Sequence, residues 1–540
     1  MAIGLDVGSS SVKAIRIDAR GSVRASARRA ILTRRDADGR VEHDPADILD
    51  AVRRTIRTVA RGAAPDEPIG IATQRSTVLF WDAGSGRPIT PAYSWQDLRG
   101  RDWCDRLRRA GRWRGGAGGD LDLWVASRTG LRFNPHYSAA KIAWAFEQVR
   151  GLRKGVAAGR VRWGCLATWI VWHLSGGALY LLDHTNAQRT LLLRLDDLSW
   201  DPDLGEAFGL EALFDAPLLP ALVPAIPGER LPIPIPDRSP AGGGGRGHLR
   251  LGAILGDQQA ALAGLGGLAN HDVIINYGSG AFVIHSTGTA PCRVPGLLTS
   301  VLVSWRDRGG FLRARFGVEG TVNAAAVAID WARAKLGLRV RTRDLDRFLG
   351  PPPRGARTVH FLPAVAGVAA PRWDDRARPR FAGDLRGATD RDRMRAVVES
   401  IACRCAEILR VADRSRSIRP ASSPILAAGG LTRCRTLMQA QADLAGRPIL
   451  VRDVADATAL GAARLAAAAP QATPGAREAR RGSSGAPGGP ATLFRPRLDR
   501  TAADAWFRAW EGSVYRTATS TTRPRMRGGS AVAGRPPGTV

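Results

Sequence analysis

The 540-residue sequence is poor in cysteine, methionine and tyrosine, and no uninterrupted apolar run in it reaches membrane-spanning length. Its six cysteines, Cys104, Cys165, Cys292, Cys403, Cys405 and Cys434, are scattered along the chain, which excludes a disulfide-stapled mini-scaffold and reads as reduced thiols. Only one residue separates Cys403 from Cys405, which is not zinc-site spacing, and no second Cys or His cluster accompanies them. The opening, Met1 to Asp6, runs directly into a strand-like segment, so the expectation is a cytoplasmic protein without membrane insertion. The G-x-x-x-x-G-K-S/T pattern is missing, which removes the P-loop reading, and no recognisable nucleic-acid module is present.

What is there is ordinary globular material, 44% hydrophobic and 24% charged, in a chain long enough to need at least two domains. The formal net charge of +30 would by itself favour a polyanion. The basic residues are spread along the chain instead of forming one arm, and no specific nucleic-acid partner is expected. Ile3 to Ile17 reads as strand, small-residue turn, strand, and Val273 to Ile284 repeats the design around Gly278, Ser279 and Gly280. Two such hairpins predict two similar α/β halves, each offering a phosphate-holding turn to a common cleft. Between them, Asp44-Pro45 opens an amphipathic helix through Ile48, Leu49, Val52, Ile56 and Val59. Strand-like runs flank Gln74-Arg75-Ser76 within Asp66 to Asp82. Ser138 to Val149 and Leu166 to Leu174 read as packed helices, and Pro232 to Gly245 as a surface turn or hinge.

Phosphoryl transfer needs donors around the phosphates, a carboxylate for the metal and a group that deprotonates the attacking hydroxyl. Asp6 directly precedes the first turn, where its carboxylate reaches a magnesium ion through water; Ser9, Ser10 and Ser11 offer hydroxyls and amides, and Lys13 a positive charge. An ordinary hairpin explains the same residues. Asp257, after Gly256 and at the start of a helix, is the best base candidate, with helix capping as its bland reading. Gln74 and Arg75 can donate to polyhydroxyl oxygens, while Trp95 and Phe282 either line a small carbon skeleton or pack in the core.

In combination these segments resemble the FGGY carbohydrate kinase family, its glycerol kinases above all. The likeness runs from Ile3 to about Ala469 and carries faintly into Phe494 to Val514. Blocks in family order include GLDVGSSSVKA, GIATQRSTVLFWDAGSGRPITPAYSWQDLR, TGLRFNPHYSAAKIAW, TNAQRT, GDQQAAL, NYGSGAF, LPAVAGVAAPRWDDRARPRFAGDLRG and GGLTRCRTLMQAQADLAGRPI followed by DATALGAA. The resemblance implies a two-domain α/β fold of the actin-like, ribonuclease-H-like type with ATP in an interdomain cleft. The reaction it implies is ATP- and Mg²⁺-dependent phosphorylation of a small polyol or sugar. It makes Asp257 the catalytic base and Asp6 the metal carboxylate. Ser9, Ser10, Lys13, Ser279, Gly280, Gly429, Gly430 and Cys434 fall on the nucleotide side. Arg75, Ser76, Trp95, His136, Gln258 and Phe282 fall around the acceptor.

The expected organisation is an N-terminal kinase domain over residues 1–248 and a C-terminal one over 249–469. A flexible insertion over 470–493, a docked segment over 494–517 and a disordered tail over 518–540 complete it. Departures from the family pattern concentrate at the substrate. Ser76 stands where glycerol kinases carry Glu, and His136 where they carry a substrate-contacting Tyr, with Tyr137 as its neighbour in the alignment. On the nucleotide side Ala427-Ala428, Cys434 and Ala326 replace a family Asp, Asn and Gly. The readings left open are a glycerol, pentulose or other sugar kinase, or a catalytically impaired nucleotide-binding interaction protein. Homo-oligomerisation is likewise open.

Overall fold

The computed structural model describes residues 1–111, 120–215, 218–234, 248–268, 272–351, 358–418, 423–452, 454, 456–468 and 491–515. Two large sheets organise the chain. In the first, Ala2–Val7 pairs antiparallel with Ser11–Ile17, setting Asp6 opposite Lys13, and Val23–Ala30 extends that hairpin. Glu67–Thr73 then lies parallel to Ala2–Val7, His248–Gly256 parallel to Glu67–Thr73, and Leu231–Pro234 closes the edge antiparallel. The second sheet repeats the plan. Val273–Tyr277 and Ala281–Gly288 form the hairpin, Leu312–Val322 and Leu298–Arg306 extend it, and Ile425–Ala428 and Ile449–Arg452 add parallel strands. Ala491–Phe494 closes that edge antiparallel. The central strands are apolar on both faces, as sheets covered by helices require.

Local sequence explains the covering helices. Asp44 caps Pro45–Val59 by accepting from the Ala46 amide, and the helix buries Ile48, Leu49, Val52, Ile56 and Val59. Thr389 and Asp392 form a reciprocal capping box at the head of the long helix Asp390–Asp413, which packs against the second sheet. A helix of small residues, Ala457–Ala467, follows a strand of the second sheet yet lies on the first. It comes so close that a Cβ on Gly4 would stand 1.9 Å from the Ala459 carbonyl oxygen. The helix Asp257–Gly264 packs against it just as closely, because a Cβ on Gly461 would meet the Ala260 carbonyl oxygen at 1.8 Å. Larger side chains would wedge the sheet and both helices apart.

Three expected boundaries shift. His248–Gly256 pairs with Glu67–Thr73, so the strand leading to Asp257 belongs to the first sheet, and a second domain beginning at 249 cuts through it. The Pro/Gly-rich composition that marked a hinge over Pro232 to Gly245 begins with the edge strand Leu231–Pro234; residues 235–247 lie outside the described residues. The expected insertion over 470–493 overlaps Ala491–Phe494, whose backbone pairs with Ile449–Arg452. The docked segment is the helix Arg500–Tyr515, burying Trp506, Phe507, Trp510 and Val514; the tail lies outside the described residues.

Candidate functional site

Residues 74–76 leave the first sheet at Thr73 and enter Val78–Asp82, a strand of a separate five-stranded sheet, so Arg75 sits at a junction. Gly256 ends the neighbouring strand, and a Cβ there would stand 2.6 Å from Arg75 Cδ. The missing side chain lets Arg75 reach Asp257, with Nε 3.7 Å from Oδ1. On its other side Arg75 Nη2 lies 3.6 Å from Glu319 Oε1, on the second sheet. Among the described residues Arg75 Nη1 is buried with no hydrogen-bond partner. A buried guanidinium with an unused donor is poised for an acceptor oxygen.

Glu319 is the hub beneath this pair. Arg189 Nη2 donates to its Oε2 at 2.6 Å, Ser300 Oγ donates to the same oxygen at 2.8 Å, and the Tyr137 hydroxyl joins Arg189. Burial alone would raise the Glu319 carboxyl, but Arg189 and Arg75 hold it down to about 2. The short helix His184–Gln188 aims Arg189, and Asp183 fixes that helix by accepting from the Thr185 and Asn186 amides. Thr185 Oγ1 in turn accepts from the Gly256 amide at 2.8 Å, tying the Arg189 segment to the base of Asp257. Asp257 opens its helix, accepts from the Gln258 amide at 2.7 Å and keeps its side chain 27% exposed. Burial raises its carboxyl, against the pull of Arg75, which suits a group that must take up a proton.

Asp6 completes the acidic side. Burial, reinforced by Asp257, pushes its carboxyl up to about 7 while Lys13 pulls it down. Lys13 Nζ lies 2.6 Å from Asp456 Oδ1, so an ion pair joins the first hairpin to the residue before the crossing helix Ala457–Ala467. Among the described residues no three His, Cys, Asp or Glu side chains are close enough to hold a metal directly. Asp6, whose carboxyl feels the charge of Asp257, would suit a magnesium ion that arrives with phosphates, and the ion would supply positive charge there. Two further turns face solvent: Gly278 and Ser279, where the Gly278 amide donates to the Gly280 carbonyl at 2.8 Å, and Gly429-Gly430. Gly429 has φ of +100°, and a Cβ there would meet the Tyr277 carbonyl oxygen at 2.2 Å, so only glycine brings these turns together.

Of the residues expected around an acceptor, Trp95 is 37% exposed, and its indole Nε1 donates to Ser9 Oγ at 3.0 Å. Ser9 Oγ donates onward to Gln74 Oε1 at 3.1 Å, linking the aromatic wall to the first turn. Ser76 is buried with φ of +63°, so its side chain leaves a strained turn beside Arg75. Gln258 and Phe282 are half-buried, Phe282 on the hairpin strand paired with Val273–Tyr277. His136 is exposed with Nδ1 3.1 Å from the Trp95 carbonyl oxygen, whereas Tyr137 turns inward to Arg189.

The structure thus brings Asp6, Arg75, Asp257 and Lys13 together and sets Trp95 against Ser9. It does not bring Cys434 to the cleft: that residue is 1% exposed, and its thiol points at Asp346, which caps the helix Arg435–Ala445 through the Arg435 and Thr436 amides. Burial pushes the thiol up to about 12, and the side chain is a core group. Sequence reasoning missed Glu319 and gave Arg189 no role. The available signals were charged residues inside the apolar strand Leu312–Val322 and beside the apolar run that follows TNAQRT.

Two family profiles match the chain: "FGGY family of carbohydrate kinases, N-terminal domain" over residues 1–231 and "FGGY family of carbohydrate kinases, C-terminal domain" over residues 273–470. A glycerol kinase of Thermus brockianus is 34% identical over 524 residues, covering 95% of this chain and 98% of that protein. Among solved structures, Plasmodium falciparum glycerol kinase with ADP superposes with a TM-score of 0.80 at 22% identity, covering 94% of this chain and 96% of the other. Gluconate kinase from Lactobacillus acidophilus gives a TM-score of 0.77 at 20% identity, covering 94% and 95%. The fold is the two-domain α/β, actin-like and ribonuclease-H-like architecture.

Proposed function

The chain belongs to the FGGY family of carbohydrate kinases, and from that premise we propose that its cleft transfers the terminal phosphoryl group of ATP to a hydroxyl of a small polyol or sugar, with Asp257 as general base. The observation that carries this reading is the Asp257, Arg75 and Glu319 constellation, held in contact by the bare backbone of Gly256.

The acceptor lies with its carbon skeleton against Trp95 and Phe282 and its oxygens toward Arg75 and Gln258. Asp257 orients the attacking hydroxyl and takes its proton as the new oxygen–phosphorus bond forms and the bond to the ADP oxygen breaks. Arg75, braced by Glu319, holds the acceptor and keeps Asp257 from drifting. The turns at Ser9-Ser10, Ser279-Gly280 and Gly429-Gly430 supply amides and hydroxyls to the phosphates, and Lys13 supplies positive charge. A bound magnesium ion would neutralise phosphate charge, with Asp6 supporting it through water. Closure of the two halves excludes water and limits futile hydrolysis.

Glycerol is the first acceptor to test, on the strength of the full-length likeness to a glycerol kinase. Ser76 and His136, where glycerol kinases carry Glu and Tyr, favour testing ketoses, aldoses and aldonates beside it. The experiment measures ADP formation with ATP and Mg²⁺ across glycerol, other polyols, ketoses, aldoses and gluconate, and identifies the phosphorylated product by mass. Acceptor-dependent ADP with a phosphorylated product supports the proposal. Folded protein that turns over ATP with none of them contradicts it and favours the impaired nucleotide-binding reading.

A further inference from the structure

Lys141 is 0% exposed, in the first turn of the helix Ser138–Gln148, where the helix dipole disfavours a cation. Among the described residues no carboxylate lies within ion-pair distance of it. Its Nζ instead donates to the carbonyl oxygens of Ser94 at 3.1 Å and His136 at 2.6 Å. Such a buried cation is costly unless its contacts have a use. The two carbonyls belong to different segments. Ser94 directly precedes Trp95, and His136 lies in the turn before the helix. The same segments meet a second time, where His136 Nδ1 approaches the Trp95 carbonyl oxygen at 3.1 Å.

We propose that Lys141 is a positioning residue of the acceptor site: by holding the Ser94 and His136 carbonyls on one ammonium, it fixes the spacing of Trp95 and His136 and so decides which acceptors fit. The inference rests on the acceptor-site reading above. A methyl or thioether at the same place would pack as well as the lysine stem, but it would remove the one donor the two carbonyls share, leaving Ser94 with only the Asp97 amide at 3.1 Å and the two segments free to separate. Burial lowers the Lys141 pKa to about 7; Asp97 counters that shift, Arg99 adds to it, and the Cys165 thiol and His136 imidazole complete the titratable groups facing it. Even as a neutral amine Lys141 keeps two donors, one for each carbonyl.

The test uses the full chain with Lys141→Met, which removes the donors, and Lys141→Gln, which keeps an amide NH₂. Two readouts are taken: hydrogen exchange of backbone amides in residues 94–97 and 134–138, and KM for ATP and for glycerol or the best acceptor of the panel. Lys141→Met should speed exchange in both segments at least tenfold and raise the acceptor KM at least tenfold, with the ATP KM within twofold; Lys141→Gln should fall between it and the natural protein. Unchanged exchange, or equal changes in both KM values, overturns the proposal. So does failure of both variants to fold, which would make Lys141 a purely structural group. If the natural protein phosphorylates no acceptor, the kinase reading fails and the acceptor role falls with it, whatever the exchange rates report about the tether.

Discussion

Arg75 spans the floor of the cleft, its Nε 3.7 Å from Asp257 Oδ1 and its Nη2 3.6 Å from Glu319 Oε1. Asp257 extends from a strand of the first sheet and Glu319 lies on the second, so one guanidinium is shared between the two halves. Arg189 reaches Glu319 through the other carboxylate oxygen, its Nη2 2.6 Å from Oε2, so one acid pairs with two buried arginines.

Removing that acid's charge should be expensive. Glu319→Gln leaves Arg189 buried without its counter-charge, a loss of about 3–5 kcal/mol where one partner of a buried pair is deleted. A lower midpoint in urea unfolding is expected, and transfer should fall as Arg75 loses its brace. A midpoint equal to that of the natural protein would mean that the cluster is solvated and not a brace.

Gly256→Ala separates position from stability. The backbone there, with φ of −68° and ψ of 151°, is open to alanine, so the effect comes from the Cβ meeting Arg75 Cδ at 2.6 Å. Overpacking of this kind costs about 1–3 kcal/mol. The turnover number should drop at least tenfold, since displacement of Arg75 and Asp257 by a few tenths of an ångström acts directly on the reacting geometry. Steady-state kinetics beside a thermal melt checks both.

How much of this was legible in the sequence depends on how far apart the partners lie. The two hairpins, the capped helix after Asp44 and the helix start at Asp257 are local patterns, and each stands where expected. Arg189 and Glu319 are separated by 130 residues and acquire a role only when a helix end and a strand from different halves meet. The strand His248–Gly256 was assigned to the second half because a Pro/Gly-rich stretch precedes it, yet hydrogen bonding along Glu67–Thr73 decides its sheet. Cys434 shows the converse. A motif position placed it beside nucleotide, while Asp346, distant in sequence, draws the thiol into the core.

Lys141 gives stability a pH dependence with a definite sign. Its pKa falls from the ordinary 10.5 to about 7 in the folded chain, chiefly through burial. Between those two values the unfolded chain binds a proton that the folded chain does not, so this residue's contribution to stability rises with pH across the window and is lost as pH falls toward 7. The slope approaches about 1.4 kcal/mol per pH unit. Urea unfolding of the natural protein and Lys141→Met from pH 7 to 10 should show that their difference in stability changes steadily across the window; a constant difference would contradict the shift.

The most direct test of the account is the kinetics of Asp257→Asn, which keeps the shape of the side chain and removes its basicity. With the best acceptor, the turnover number should fall by about 10²–10⁴-fold, the contribution of a positioned general base, while the KM for ATP stays within twofold. Undiminished turnover, or equal losses in transfer and ATP binding, would contradict Asp257 as the base that this cleft is built around.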